Sequence, residues 1–393
     1  MNTSELKSRV INEVDKHCDE LKELSLKIHR NPEIAFQEQK AAAWLTDYLQ
    51  AKGFAMERGI SGLETAFRAT YGKGKPVVAL LAEYDALPKL GHACGHNIIA
   101  TSAVGAGIAA RVVADELGGT MQVLGTPAEE MGGGKVYMVQ RGAFKGVDAV
   151  MMIHPAGLNT ATTKFLACQN LEVEFFGKPA HAAARPEAGI NALEAMLMSY
   201  AGINSLRQHI RDDARIHGVI TDGGEAANIV PAHTAGHFIV RAAEDSYLDE
   251  LKGRVLNCFI GAATATGAKL KYRWGKARYA PLRNNFTLAR LFRKNLQSLG
   301  RRVHLVDPRM GIGSSDIGNV SQVVPSIHPL IAIDTARAVT HSPQFAEKAV
   351  SEAGMRGLFD AAKALAMTVV DLMADPAVLD KARKEFQKGD NSG

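Results

Sequence analysis

The stretch Pro76-Val77-Val78-Ala79-Leu80-Leu81-Ala82-Glu83-Tyr84-Asp85-Ala86-Leu87-Pro88 decides the fold. Seven apolar residues without alternation predict a strand buried on both faces, as in a parallel sheet covered by helices, and Glu83 to Pro88 break it. On the N-terminal side, Leu6, Val10, Val14, Leu21, Leu24 and Ile28 recur at helical spacing between Ser4 and Arg30, and Pro32 ends that helix. A second helix is expected from about Glu38 to Ala51. On the C-terminal side the pattern predicts a small-residue helix over Ile98–Leu117, a strand over Thr120–Gly125, a helix over Lys135–Arg141 and a strand over Ala149–Ile153. Such alternation implies parallel strands joined by helices.

From Asn170 the order changes to strand (Leu171–Phe176), helix (Ile190–His209), two strands (Arg215–Thr221, Ala235–Arg241), helix (Ser246–Thr264) and strand (Lys269–Trp274). That is the split βαβ, ferredoxin-like order, complete enough to be a small domain. After Tyr279 alternation resumes with a helix over Phe286–Leu299, a strand over Ile327–Ile333 and a long Ala-rich helix over Glu347–Met373. The fold expected is therefore an α/β domain, a mostly parallel sheet with helices on both faces, built from residues 1–168 and 280–393. A ferredoxin-like α+β domain at 169–279 interrupts it. A chain of 393 residues is too long for one ordinary core, which agrees with two domains.

Composition narrows the function. The 46 basic residues are interleaved with 41 acidic ones, giving a net charge of +5 with no aromatic-studded basic stripe, so a nucleic-acid partner is not expected. No run of about 18 apolar residues is seen, and Glu5, Lys7 and Arg9 precede any apolar stretch, so neither a membrane partner nor a leader is expected and the cytoplasm is the expected location. Cys18, Cys94, Cys168 and Cys258 lack paired spacing, which favours free thiols in a reducing compartment.

Open parallel sheets present functional groups just past the carboxyl ends of their strands. Asp85 ends the first predicted strand, Glu129 and Glu130 follow the second, His154 ends the third, and His341 follows the strand at Ile327–Ile333. The loop after the first strand adds His92, Cys94 and His96. Thiolate, imidazole and carboxylate from distant positions suit a catalytic Zn²⁺, with Mn²⁺ or Co²⁺ as alternatives. In the pair Glu129-Glu130, one carboxylate can ligate while its neighbour takes a proton from water, a hydrolytic arrangement. Alone, each has an ordinary reading: a buried small thiol, satisfied histidines, a solvated acidic pair. Their shared rim makes them a site. Two decoys fail on context. Gly105-Ala106-Gly107-Ile108-Ala109-Ala110 matches a dinucleotide fingerprint but lies inside a predicted helix, and Gly132-Gly133-Gly134-Lys135 lacks the spacing of a phosphate loop.

The stretches Glu83–Pro88, Gly91-His92-Ala93-Cys94-Gly95-His96-Asn97, Pro127-Ala128-Glu129-Glu130 and Thr340-His341-Ser342-Pro343 resemble the aminoacylase and carboxypeptidase G family of metallopeptidases, peptidase family M20, in its amidohydrolase subfamily with a cysteine ligand. His29-Arg30-Asn31-Pro32-Glu33 and the inserted domain also fit, so the match covers nearly the whole chain. The resemblance implies two divalent cations held by Cys94, His96, Glu130, His154 and His341, with Glu129 as general base and acid and Asp85 as its support. It makes the insertion a lid and homodimerisation domain whose His181, in Gly177-Lys178-Pro179-Ala180-His181-Ala182, polarises the scissile carbonyl, often across the dimer. Asn228 and Arg241 match positions that hold the substrate carboxylate or carbonyl, and an Arg fork suits that task.

Two positions depart from the pattern. Glu83 stands where other branches have a metal-binding His and this subfamily usually has Asp, and it is left outside the ligand set. Asn97 replaces the commoner Asp. With Gly313-Ser314-Ser315-Asp316-Ile317-Gly318-Asn319-Val320-Ser321, it resembles the branch of the aminobenzoyl-glutamate hydrolase B subunit and the β-alanyl-lysine dipeptidases, implying an N-acyl or N-aroyl amino acid or an unusual dipeptide as substrate. Two other readings stand beside this one: a metal-independent hydrolase with Cys94 as nucleophile, and a non-catalytic binding protein with a degenerate site.

Overall fold

The structure, a computed structural model, describes residues 2–306, 313–334 and 339–389. The chain forms two compact units, dividing at Lys164/Phe165 and Pro281/Leu282, with the second inserted in the first; Ser314 groups with the insertion.

The single helix expected at the start is two, α1 (Thr3–Lys16) and α2 (Cys18–His29), because the chain turns at His17. The His17 ring reaches Glu13 at 3.1 Å and Glu20 at 3.2 Å, so the break is held by its own side chain. The same apolar face stays buried across it. Next come α3 (Gln39–Ala51), β1 (Ala55–Arg58), β2 (Phe67–Lys73), β3 (Val77–Ala82), α4 (His96–Leu117), β4 (Gly119–Gly125), α5 (Gly134–Gln140), β5 (Ala149–Met151) and β6 (His154–Ala156). The insertion contributes β7 (Ala167–Phe176), α6 (Ala192–Arg207), β8 (Arg215–Asp222), β9 (His233–Ala242), α7 (Asp245–Thr266) and β10 (Lys269–Tyr279). The first unit then resumes with α8 (Phe286–Ser298), α9 (Ile317–Ser321), β11 (Ser326–Ile327), β12 (Leu330–Ala332), α10 (Pro343–Ala349), α11 (Glu352–Ala374) and α12 (Pro376–Lys388).

In the first unit the sheet order is β1-β2-β4-β3-β5-β11. β3 pairs in parallel with β4 and β5, and β11 in parallel with β5, while β1 and β2 form an antiparallel edge. The apolar run around Leu80 is thus the central strand, and Val78 to Ala82 are fully buried. The strand expected over Ile327–Ile333 is broken at His328-Pro329, since proline has no N–H for a ladder; its halves pair separately, β11 with β5 and β12 with β6. The long helix expected from Glu347 is α10 and α11, broken at Ser351, whose hydroxyl accepts from Gly354 N at 3.2 Å and starts the second helix.

By length and mean hydropathy α4 could cross a membrane, but its most apolar window is 89% buried inside the protein. It lies against β3 and β4 on one side and α1, α2 and α11 on the other. Close approach requires its glycines. A Cβ on Gly107 would stand 2.5 Å from Val123 Cγ2 on β4.

In the insertion the sheet order is β10-β7-β9-β8, every pair antiparallel. α6 and α7 cover one face through Leu171, Val173, Phe175, Phe238 and Val240. Residues of β9 alternate, so Arg241 lies on the face opposite Val240 and Ala242.

Substituting Gly107→Val is expected to overpack the helix against the sheet and lower the unfolding free energy by about 1–3 kcal/mol, read by urea denaturation.

Candidate metal centre

The loops past the carboxyl ends of β3, β4 and β5 carry Asp85, Glu129 and Glu130, and His154, all in the first unit. Cys94 and His96 flank Gly95, which has φ +76° and whose Cβ would meet Pro155 Cγ at 2.5 Å, so only glycine lets both side chains reach the rim. Ala128 (φ +60°) and His341 (φ +65°) are also left-handed, at a cost of about 1–2 kcal/mol per residue. Neighbours hold both. Ala128 N donates to Glu38 Oε1 at 2.9 Å, and His341 N donates to Ala93 O at 2.9 Å, tying the late ligand loop to the early one.

Cys94 Sγ lies 3.4 Å from His154 Nε2 and 3.6 Å from His341 Nε2, and His341 Nε2 lies 3.3 Å from Glu130 Oε2. His96 Nε2 faces Glu130 Oε1 at 3.8 Å, and among the described residues neither buried atom has a hydrogen-bond partner. An unpaired buried polar atom costs about 1–3 kcal/mol, which a cation between the two would relieve. Among the described residues, three groups place their donor atoms within 4.8 Å of one another and could hold a metal ion: Cys94, His96 and His154; Cys94, Glu130 and His341; His96, Glu129 and Glu130. Sharing of Cys94, His96 and Glu130 among the groups suits adjacent cations. Orientation is fixed from behind. His96 Nδ1 donates to Asp85 Oδ1 at 3.0 Å and His154 Nδ1 to Pro155 O at 2.8 Å, turning both Nε2 atoms to the rim.

The electrostatics need positive charge. Burial, joined by the charge of Glu130, raises the Cys94 thiol well above its ordinary value, so the thiolate requires a cation. Burial, with Glu83, Glu130 and Asp316 nearby, pushes Glu129 well above the usual carboxylate range. Burial opposes charge on Glu130, but the hydrogen bond from His341 and the charge of His96 outweigh it and hold the carboxyl low.

The family model for "Peptidase family M20/M25/M40" matches residues 79–363. The chain belongs to this family. It is 38% identical to the Xaa-Arg dipeptidase of Mus musculus, over 97% of this chain and 92% of that protein. It is 30% identical to the p-aminobenzoyl-glutamate hydrolase B subunit of Escherichia coli strain K12, over 91% and 90% of the two chains. Among solved structures, a dinuclear metal-binding M20 peptidase of Bacillus subtilis has the same fold, with a TM-score of 0.71 at 19% identity over 91% of this chain and 99% of that one.

Within this M20-family chain the sequence motifs scatter over two units. Cys94, His96, Glu129, Glu130, His154, His341 and Asp85 come together in the first; His181, Asn228 and Arg241 lie in the insertion. There, His181 Nδ1 accepts from Ala183 N at 3.2 Å and Ala184 N at 3.1 Å, leaving Nε2 as the outward nitrogen. Ala182 N donates to Asn228 O at 3.0 Å, so His181 and Asn228 share one loop junction. Arg241 Nε donates to His217 Nε2 at 3.3 Å. His92 leaves the cluster and packs on His29, ring centroids 6.0 Å apart. Asn97 points the other way too, donating to Ser25 Oγ on α2 at 2.9 Å.

Several residues that matter to this M20 site were not singled out from sequence. Lys135, fully buried, pairs with Glu83 and with Asp316. Glu38 braces the Ala128 turn and also accepts from Phe36 N at 3.0 Å and Thr65 Oγ1 at 2.9 Å. Burial pushes the Glu38 carboxyl from 4.5 up to about 7. A carboxyl raised on folding gives stability that is complete below its unfolded pKa and is lost as pH rises through the folded value. Between about pH 4.5 and 7.5 the metal-free protein is therefore expected to lose about 1–3 kcal/mol of unfolding free energy that Glu38→Gln retains, compared by urea denaturation.

Proposed function

We propose that the protein hydrolyses the amide bond of an N-acyl or N-aroyl amino acid or a small dipeptide, at a centre of two divalent cations held by Cys94, His96, Glu130, His154 and His341. The observation that carries this is the convergence of those donor atoms, with orphaned His96 Nε2 and Glu130 Oε1, beside the carboxyl group of Glu129. Bound there, the cations supply Lewis acidity that acidifies water and stabilises the developing oxyanion. Zn²⁺ suits the thiolate and imidazoles, with Mn²⁺ or Co²⁺ as alternatives. Glu129 takes the proton from the attacking water and returns it to the leaving nitrogen. Asp85 keeps the His96 imidazole turned to the rim, and Pro155 O does the same for His154.

The insertion acts as lid and dimerisation domain in this reading. Its edge strand β8 exposes Val219 and Ile220, a surface on which a second copy can pair. His181 serves as the carbonyl-polarising group, and Asn228 and Arg241 hold the substrate's carbonyl and carboxylate. The named activities of the relatives select the first substrates to try: dipeptides ending in arginine, and p-aminobenzoyl-glutamate. A metal-independent hydrolase with Cys94 as nucleophile is the second reading, and burial, which raises the thiol above its ordinary value, speaks against it.

Glu129→Gln is expected to retain both cations by elemental analysis and lose about 10² to 10⁴ in kcat on whichever panel member is cleaved. Unchanged turnover would remove Glu129 as the base, and full activity after chelation would revive the cysteine reading. Arg241→Ala is expected to raise KM by about tenfold or more with a smaller change in kcat, as loss of a charged hydrogen bond to the carboxylate predicts.

A further inference from the structure

We propose that His233, held between Asp222 and Glu174, is the positioning residue that fixes the loop carrying Asn228 against the segment carrying His181. The proposal rests on the reading of Asn228 and His181 as substrate-holding groups and names what keeps them in place.

All of these residues belong to the insertion. The loop runs from Asp222, the last residue of β8, to His233, the first of β9. It lies along the segment after β7 as a short ribbon. Val230 N donates to Ala180 O at 2.9 Å, Ala182 N donates to Asn228 O at 3.0 Å, and His181 and Ile229 form an antiparallel bridge. Neither stretch is part of a regular strand, so the ribbon depends on how the loop is closed. Closure occurs at its base. His233 Nδ1 donates to Asp222 Oδ2 at 2.6 Å, joining the two ends, and Nε2 donates to Glu174 Oε1 on β7 at 3.2 Å. The other Asp222 oxygen accepts from Gly224 N at 3.0 Å, which turns the chain out of β8.

This geometry sets the charge of the ring. A carboxylate only accepts, so an imidazole with a carboxylate oxygen at each nitrogen carries two N–H groups and is an imidazolium. Besides Glu174, β7 contributes the Phe176 ring, its centroid 5.0 Å from that of His233. β10 contributes Lys271, whose ammonium lies 5.2 Å from the centre of the Phe176 ring. The hydrogen bond to Asp222, joined by that to Glu174, outweighs burial and raises the His233 pKa above its ordinary value. The side chain is 34% exposed, so it exchanges its proton with solvent. A pKa raised on folding means that the clasp is complete below about pH 6.5 and is lost as pH rises through the folded value. Deprotonation leaves a ring nitrogen lone pair facing a carboxylate, and one of the two contacts is gone.

The test uses the full-length, metal-loaded protein and whichever substrate of the panel it cleaves. His233→Gln carries no charge, and its kcat/KM is expected to be about three- to tenfold below wild type at about pH 6, the scale of one charged hydrogen bond at a half-exposed site. His233→Arg is a cation at every pH with a fork of donors for both acids, and it is expected to match wild type at about pH 6 and to hold that value to about pH 9, where wild type declines. A merely structural role for the ring would not separate the two variants by charge. Amide exchange at Ala182 and Val230, followed by NMR, is expected to quicken in His233→Gln and to stay at the wild-type rate in His233→Arg. Wild-type kcat/KM or wild-type exchange in His233→Gln would overturn the proposal alone. An unchanged KM in Asn228→Ala would overturn the reading of Asn228 on which it rests.

Discussion

The Asp85 carboxylate is the contact on which the centre depends. One oxygen accepts from His96 Nδ1 and the other from Glu130 N, at 3.0 and 2.9 Å, so a single side chain fixes the loop after β3, the first turn of α4 and the loop after β4. Burial alone would raise its pKa, yet His96, the Glu130 amide and Lys135 outweigh burial and hold it below the ordinary value. An anion kept charged in the interior is strong because little water competes, and costly for the same reason. Around it the protein alternates sign: Asp85 with His96, Glu83 and Asp316 with Lys135, Glu130 with His341.

Much of this was legible in sequence, for identifiable reasons. The run at Val77–Ala82 could only be a strand covered on both faces, and the strand-end rule then collected Asp85, Glu129, Glu130 and His154 without knowledge of contacts. The inserted β-α-β-β-α-β order was equally plain because its periods switch cleanly between two and 3.6. β1 and β2 were missed although Phe67, Ala69 and Tyr71 alternate with Arg68 and Thr70 in β2, the signature of a strand with one more exposed face. His17, His328-Pro329 and Ser351 broke elements that hydrophobic period alone would have continued.

Lys135 shows the limit most clearly. After three glycines, a lysine suggests a mobile turn, and nothing local announces that its ammonium lies fully buried between two carboxylates. Both partners are remote in sequence, and the pairing exists because α5 packs beside α9 and next to the residue that follows β3. Charge pairs of this kind are long-range facts. So is the part played by Glu38, whose role at Ala128 spans 90 residues.

Thr163 and Asn284 bracket the insertion and bond in both directions, Asn284 Nδ2 donating to Thr163 O at 2.7 Å and Thr163 N to Asn284 Oδ1 at 3.4 Å. The two ends of the interrupted unit are therefore stapled side by side, independently of what hangs between them. For evolution this makes the insertion a cassette. With its ends joined in this way, the insertion enters and leaves the core unit at one place, so the surface bearing His181 and Arg241 and the rim bearing Cys94 and His341 belong to separately packed units that can diversify at different rates.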